Sequence, residues 1–356
     1  MKLTNLQWAF LCLQLAAASA LAEERCALVV GVSDYKVFGR LDNPRQDHAE
    51  MVKALRNVGF AVTEMHNPTR QQLEEITRRF SEENKTAREV VVYYSGHGLQ
   101  VQGRNYLTGT DSQLEVTQGL SELDRTSLSG EALLMAKEAH VRQSAESGLV
   151  ALDKVLGQLE TMGQRSAARV VILDCCRDNP LGTKTLSAKS ILPPKGGLGR
   201  VNAPRGMLIA FAARDGQVAL QTEAGKPSLY TTALLTHIQT PGLEVEQVFK
   251  RTRATVLDLS REEQEPAEYT NLTGNLVFNR AAPGSDAGAS VAAAAELPQM
   301  KAELDERREQ TAIADTAVAP PGAQPSDLPE RGYFNLDELF SGSDYGNYDS
   351  YSQEQI

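Results

Sequence analysis

The sequence predicts an α/β fold: a mostly parallel, six-stranded sheet flanked by helices. Compact apolar runs rich in β-branched residues recur between Arg25 and Phe278, as strands buried on both faces require. Amphipathic helical patterns with start signals separate most of them. Strands that alternate with helices join by crossovers, and crossovers make neighbouring strands parallel.

The first run, Cys26–Val32, is a strand. Asn43-Pro44 then opens a helix, with Asn as N-cap, Pro at the first helical position and Gln46 at the third. Met51, Leu55 and Val58 give that helix one apolar face. Ala61–Met65 is a second strand. Thr69 and Gln72 form a capping box for a helix whose Leu73, Ile76 and Phe80 share a face. The third strand, Val90–Tyr94, leads into a loop carrying His97. Leu152, Val155, Leu156 and Leu159 mark a helix before the fourth strand, Val170–Asp174. Met207–Ala212 is the fifth strand, Thr231–Ile238 and Val245–Leu259 are helices, and Asn275–Phe278 is a closing strand. Asp111–Ser147 is polar and reads as an insertion with some helix. Leu181–Arg205 has no periodicity and reads as an exposed loop.

The two ends differ from this core. Residues 1–22 carry Lys2 as their only charge, an apolar stretch from Trp8 to Ala20, and the small-x-small sequence Ala20-Leu21-Ala22. That pattern is a cleavable secretory signal peptide, too short in its apolar part to span a bilayer. Residues 23–280 form the folded domain. Residues 281–356 are rich in Ala, Pro, Gly and Ser, with a charged stretch of helical character at Met300–Gln310, then acidic and dotted with tyrosines, and are expected to be a disordered tail dispensable for chemistry. Tyr333, Phe334, Leu336, Leu339 and Phe340 cluster there as an apolar patch suited to a protein partner. The net charge of −10 argues against nucleic acid or an anionic membrane surface as a partner and is compatible with cationic substrates. Cys26, Cys175 and Cys176 remain after signal removal. Three thiols make no disulfide framework and leave one or more unpaired.

Two strings carry chemistry. Ser95-Gly96-His97-Gly98 follows the third strand, and Asp174-Cys175-Cys176-Arg177 ends the fourth. Open α/β sheets carry their reactive groups at the carboxyl ends of their strands. One imidazole and one thiol at that edge are the minimal set for thiol catalysis, in which the imidazole takes the thiol proton.

With their flanks Tyr93-Tyr94 and Asp178-Asn179-Pro180, these strings resemble the His and Cys boxes of bacterial caspase-like peptidases, relatives of caspases and metacaspases. The resemblance spans about Arg25 to Phe278. It also takes in Ala27–Tyr35, the segment from Leu41-Asp42-Asn43-Pro44 to Ala49, Gly206–Ala212, Tyr230–Leu235 and Gln264-Glu265-Pro266. It implies a caspase-like fold and a cysteine endopeptidase with His97 as general base and Cys176 as nucleophile. The backbone N–H groups of Gly98 and Cys176 would form the oxyanion hole. Family members carry a small residue, then Cys, then Arg or His, which assigns Cys175 the small-residue role. Strand alternation agrees, since Asp174 and Cys176 share one side and Cys175 the other.

Metacaspase-like relatives cut after Arg or Lys, so the resemblance implies protein or peptide substrates with a basic P1 residue. Asp174 is the first candidate to meet that cation, Asp34 the second and Asp111 a weaker third, the alternative role of the last two being turn chemistry. Relatives are often processed between the Cys box and the next strand, where Lys184, Lys189, Lys195, Arg200 and Arg205 offer basic sites for self-cleavage within residues 181–205. His97 and Cys176 lie further apart than the roughly 50 residues typical of caspases, which the 111–147 insertion explains. The acidic calcium cluster of many metacaspases is not recognisable, so the resemblance leaves calcium activation open, and no other cofactor or metal is expected. A different class of function, a non-catalytic caspase-fold scaffold working through its acidic, tyrosine-rich tail, is disfavoured by the presence of both His97 and Cys176.

Overall fold

The computed structural model describes residues 25–114, 119, 122–162, 168–176, 198–199, 201–214, 217, 219–220, 222–280 and 297–310. The chain divides into two compact units, one up to Leu304 and one from Asp305 onward.

In the first unit the strands are β1 (Arg25–Gly31), β2 (Ala61–His66), β3 (Glu89–Val101), β4 (Arg104–Leu107), β5 (Val150–Ala151), β6 (Ala168–Cys176), β7 (Met207–Phe211) and β8 (Ala267–Thr270). The helices are α1 (Pro44–Asn57), α2 (Arg70–Glu83), α3 (Gly130–Gly148), α4 (Leu152–Glu160), α5 (Leu229–Ile238) and α6 (Val245–Ser260). The main sheet runs β2-β1-β3-β6-β7-β8. Its pairs are parallel except β7 with β8. The predicted mostly parallel sheet is thus observed, with five of its six expected strands in this path; β4 and β5 join beside β3 and bring the sheet to eight strands among the described residues.

The central strands are apolar throughout because both faces are covered. Val91, Tyr93, Val170, Ile172, Leu208 and Ala210 pack with α1, α5 and α6. Val92, Tyr94, Val171, Leu173 and Ile209 pack on the other side with α2 and α4. Each fully buried Leu, Ile or Val contributes about 1.5–3 kcal/mol by leaving water, so the alternation fixes which side of each strand faces which helices.

Several elements differ from the sequence reading. The third strand does not stop at Tyr94 but runs through the His box to Val101, so His97 sits in a strand rather than a loop. Beyond it β3 pairs antiparallel with β4 through the two-residue turn Gln102-Gly103, both at positive φ (49° and 75°). The hairpin packs Leu99, Val101 and Tyr106 against Val141, Ala145 and Leu149 around α3, the helix of the 111–147 insertion. The closing strand is Ala267–Thr270. Asn275–Phe278 was apolar for another reason: Leu276 and Phe278 plug the core, while the segment makes only single bridges such as Glu244 with Val277. At the far end of the expected exposed loop, Leu198 and Val201 are buried against the α2–α4 side. Residues 181–197 lie outside the described residues.

Thr69 and Gln72 form the expected capping box. Asn43 holds the N-cap position of α1 but makes no side-chain cap. Its side chain instead reaches Thr222 and Lys226. Residues 297–304 are helical and pack on the domain, with Met300 and Leu304 joining the core beside α1, α5 and α6. The segment overlaps the charged helical stretch expected at Met300–Gln310 and lies past the boundary expected at residue 280; Leu297, Met300 and Leu304 give it one apolar face. Residues 305–310, in the second unit, are also helical, with Arg308 paired to Asp305 at 3.2 Å. Residues 1–24, 281–296 and 311–356, and with them the expected signal peptide and most of the expected tail, lie outside the described residues.

Candidate active site

Strand pairing brings the two boxes together. In the β3–β6 register Ser95 lies opposite Asp174, Gly96 opposite Cys175, and His97 opposite Cys176. Cys176 is the last residue of β6, so both boxes occupy the carboxyl edge of the parallel sheet. Cys175 is buried among Leu173, Val171 and their neighbours, as expected of a small core residue.

His97 is held on several sides. Its backbone N–H donates to Tyr35 Oη at 2.8 Å. Its backbone carbonyl accepts from Tyr94 Oη at 3.0 Å and Thr108 Oγ1 at 2.9 Å. The ring packs on Tyr35, centroids 4.7 Å apart, and edge-on to Phe38 at 6.0 Å. Nε2 lies 2.8 Å from the carbonyl oxygen of Gly39. A carbonyl can only accept, so Nε2 carries the hydrogen and the basic lone pair is on Nδ1. Burial pushes the Tyr35 and Tyr94 hydroxyls well up, so both remain neutral hydrogen-bonding groups around the imidazole.

The glycines of the box are spaces. A Cβ on Gly96 would lie 2.7 Å from both Tyr35 Oη and Tyr94 Oη, and one on Gly98 would press on Leu198 and Cys175 at 3.0–3.1 Å. A side chain at 96 would displace the hydroxyls that fix His97.

Asp174 is buried on the α1–α5 side. Its Oδ2 accepts from Ser228 Oγ at 2.5 Å, Thr231 Oγ1 at 2.7 Å and Tyr93 Oη at 3.5 Å. A second carboxylate lies close by. Asp47, from the first turn of α1, accepts from Ser95 Oγ at 2.8 Å and from the Ser228 N–H at 2.6 Å. Ser228, the N-cap of α5, therefore bridges the pair. Loss of water raises both carboxyls. For Asp47 the Asp174 charge raises it further, and for Asp174 the three hydroxyls oppose the rise.

The other predicted carboxylates sit elsewhere. Asp34 is exposed, accepts from Asn67 Nδ2 at 2.7 Å, and has Arg40 at 3.7 Å and Arg45 at 4.0 Å. Asp111 accepts the backbone N–H of Arg70 at 2.7 Å, where it complements the first turn of α2.

A profile of the caspase domain matches residues 24–277. The chain belongs to the caspase domain family. The family comprises cysteine-type peptidases, so the resemblance drawn from the two boxes holds over the whole domain. No curated protein matches the chain.

Within this caspase domain, sequence reading missed Tyr35, Gly39, Asp47, Ser228 and Thr231. Asp47 had a usable signal. It stands four residues before Met51 and eight before Leu55, on the apolar face of α1, where a carboxylate is out of place unless it is held by donors. Gly39 acts through its backbone oxygen, which leaves no trace in residue type.

Proposed function

We propose that this caspase domain is an exported endopeptidase that hydrolyses peptide bonds after Arg or Lys, with His97 as general base and Cys176 as nucleophile. The observation that carries the reading is the register of His97 with Cys176 at the carboxyl edge of the sheet, with Nε2 tied to Gly39. The alternation expected of a strand ending at Cys176 groups that residue with Asp174 rather than with Cys175.

In the reaction Nδ1 of His97 takes the thiol proton and the thiolate attacks the scissile carbonyl. The backbone N–H groups of Gly98 and Cys176 receive the oxyanion. The C–N bond breaks as the imidazolium returns its proton to the leaving amine, and the acyl group stays on sulfur. Water, deprotonated by the same nitrogen, then releases the acid and restores the thiol. The Gly39 carbonyl keeps the ring in one tautomer and shares the charge of the imidazolium.

Asp174 and Asp47 support the basic P1 preference. The three hydroxyls on Asp174 converge on Oδ2, so a P1 guanidinium or ammonium is assigned to Oδ1. A cation there relieves two buried carboxyls of their mutual repulsion. An Asp side chain at P1 would add a third negative group. Export rests on the composition of residues 1–22, and self-processing on the five basic residues of the 181–205 loop. The test is cleavage of paired fluorogenic peptides with Arg or Asp at P1 by wild type and Cys176→Ala. The reading requires cleavage of the Arg peptide by wild type alone.

A further inference from the structure

The family match ends at residue 277, yet residues 297–304 are built into the domain. We infer that this segment is a strap that positions Ser228, and through it Asp174 and Asp47, for recognition of the P1 side chain. The inference rests on the proposed basic P1 specificity.

The strap is joined to the acidic pair by an unbroken chain of contacts. Glu303 pairs with Lys226 Nζ. The Lys226 carbonyl accepts from Asn43 Nδ2 at 2.9 Å, and the same amide reaches Thr222 Oγ1 at 2.7 Å. Thr222 Oγ1 in turn donates to the Pro227 carbonyl at 2.6 Å. The next residue is Ser228, whose N–H and Oγ hold Asp47 and Asp174. Asn43 thus gives up its helix cap to clamp residues 222–227, and the strap bears on that clamped loop from outside.

The hold is a limited one. Met300 and Leu304 are inserted in the core, and Lys301 meets Asp258 of α6 at 2.9 Å. Beside Met300 a cavity of about 360 Å³ opens among Gln299, Lys226, Pro227, Glu50 and Leu235. An element held at a few points beside unfilled space lies at the low-stability end of a structure, where it can lift without global unfolding. Lifting it leaves Lys226 with Glu223 alone, at 3.2 Å, and loosens Ser228 at the donor positions of both carboxylates. The Ser228 hydrogen bonds orient the pair and do not touch the reacting atoms, so the change falls on substrate binding more than on the chemical step.

The test uses the full chain and a peptide with Arg at P1. Met300→Asp, which places a charge in the core anchor, is expected to raise KM roughly tenfold while kcat stays within about twofold of wild type. Glu303→Lys and Lys226→Glu each raise KM by about two- to fivefold, as for a partly exposed ion pair, and the double exchange restores it in part, since Glu223 also faces position 226 at 3.2 Å. Hydrogen exchange at residues 222–228 rises in the single variants and returns in the double. Wild-type KM in Met300→Asp and in both charge reversals overturns the strap, as does a loss of kcat at constant KM. A wild type that shows no preference for Arg or Lys removes the P1 reading instead, a result visible before any variant is made.

Discussion

The Nε2 of His97 lies 2.8 Å from the carbonyl oxygen of Gly39, and the His97 N–H lies 2.8 Å from Tyr35 Oη. These contacts set the tautomer and the backbone position of one residue. In 15N spectra of the resting enzyme at neutral pH, His97 is expected as the Nε2–H tautomer. A Nδ1–H tautomer would leave Nδ1 unable to take the thiol proton.

Removing either member of the dyad is expected to lower kcat/KM by about 10³-fold or more, through Cys176→Ala or His97→Ala. Cys175→Ala keeps activity within roughly tenfold and costs about 1 kcal/mol of stability, since it removes one small buried side chain. Parallel kinetics and denaturant titrations on the three variants check this. An inactive, folded Cys175→Ala beside an active Cys176→Ala would reverse the assignment.

Tyr35→Phe keeps the ring stacked on His97 but strips the hydroxyl that accepts from the His97 N–H and from Thr108. A buried N–H left without its partner costs about 1–3 kcal/mol. Both the thermal midpoint and kcat are expected to fall, kcat by roughly tenfold. Wild-type kcat in this variant would show that the hydroxyl does not position the base.

Asp174→Ala is expected to cost about 2–5 kcal/mol of discrimination between Arg and a neutral residue at P1, the range for truncating one side of a buried charge pair. Asp34→Ala, at an exposed carboxylate already facing two arginines, costs less. Asp111→Ala affects α2 rather than specificity. Specificity constants for the two peptides across the three variants separate these roles, and an unchanged ratio in Asp174→Ala contradicts the assignment.

Asp47 also makes a pH prediction. Burial first, and the Asp174 charge second, raise its carboxyl in the folded state. A group raised on folding contributes stability that is fully present below its unfolded value, about 3.9, and that is lost as pH rises through the raised folded value. At neutral pH the native pair is therefore at a disadvantage that an amide avoids. Asp47→Asn should melt above wild type near pH 7, with the gap closing on acidification. A gap that widens as pH falls would contradict the sign.

The sheet and the two boxes were legible in the sequence because a strand buried on both faces is apolar over its whole length, and Val90–Tyr94 and Val170–Leu173 are of that kind. What was not legible depends on partners distant in the chain. The extension of β3 past His97 is supported by β4, four residues long, and by α3, which buries only Val141 and Ala145, and neither leaves a strong apolar pattern. The clamp on Asp174 comes from Ser228 and Thr231, more than fifty residues away, as ordinary small polar residues at a helix start. The helical character of the stretch from Met300 was legible in its charged composition, but its docking on the core was not, because that depends on α1, α5 and α6.

Self-processing is read by intact mass. Wild type is expected to be cut after one or more of Lys184, Lys189, Lys195, Arg200 and Arg205, and Cys176→Ala to stay whole. A fully active wild type that remains uncut shows that processing is not needed. Because Met300 and Leu304 are core residues, the dispensable part of the tail starts beyond the strap: deletion of 311–356 should leave peptide cleavage unchanged, and deletion of 281–356 should not.

The central claim is tested most directly by a cleavage-site profile of the purified protein on a peptide library, run beside Cys176→Ala. The account predicts cuts after Arg and Lys with wild type and none with the variant. Cuts after Asp or neutral residues at equal rates, or cuts that persist without Cys176, would contradict it.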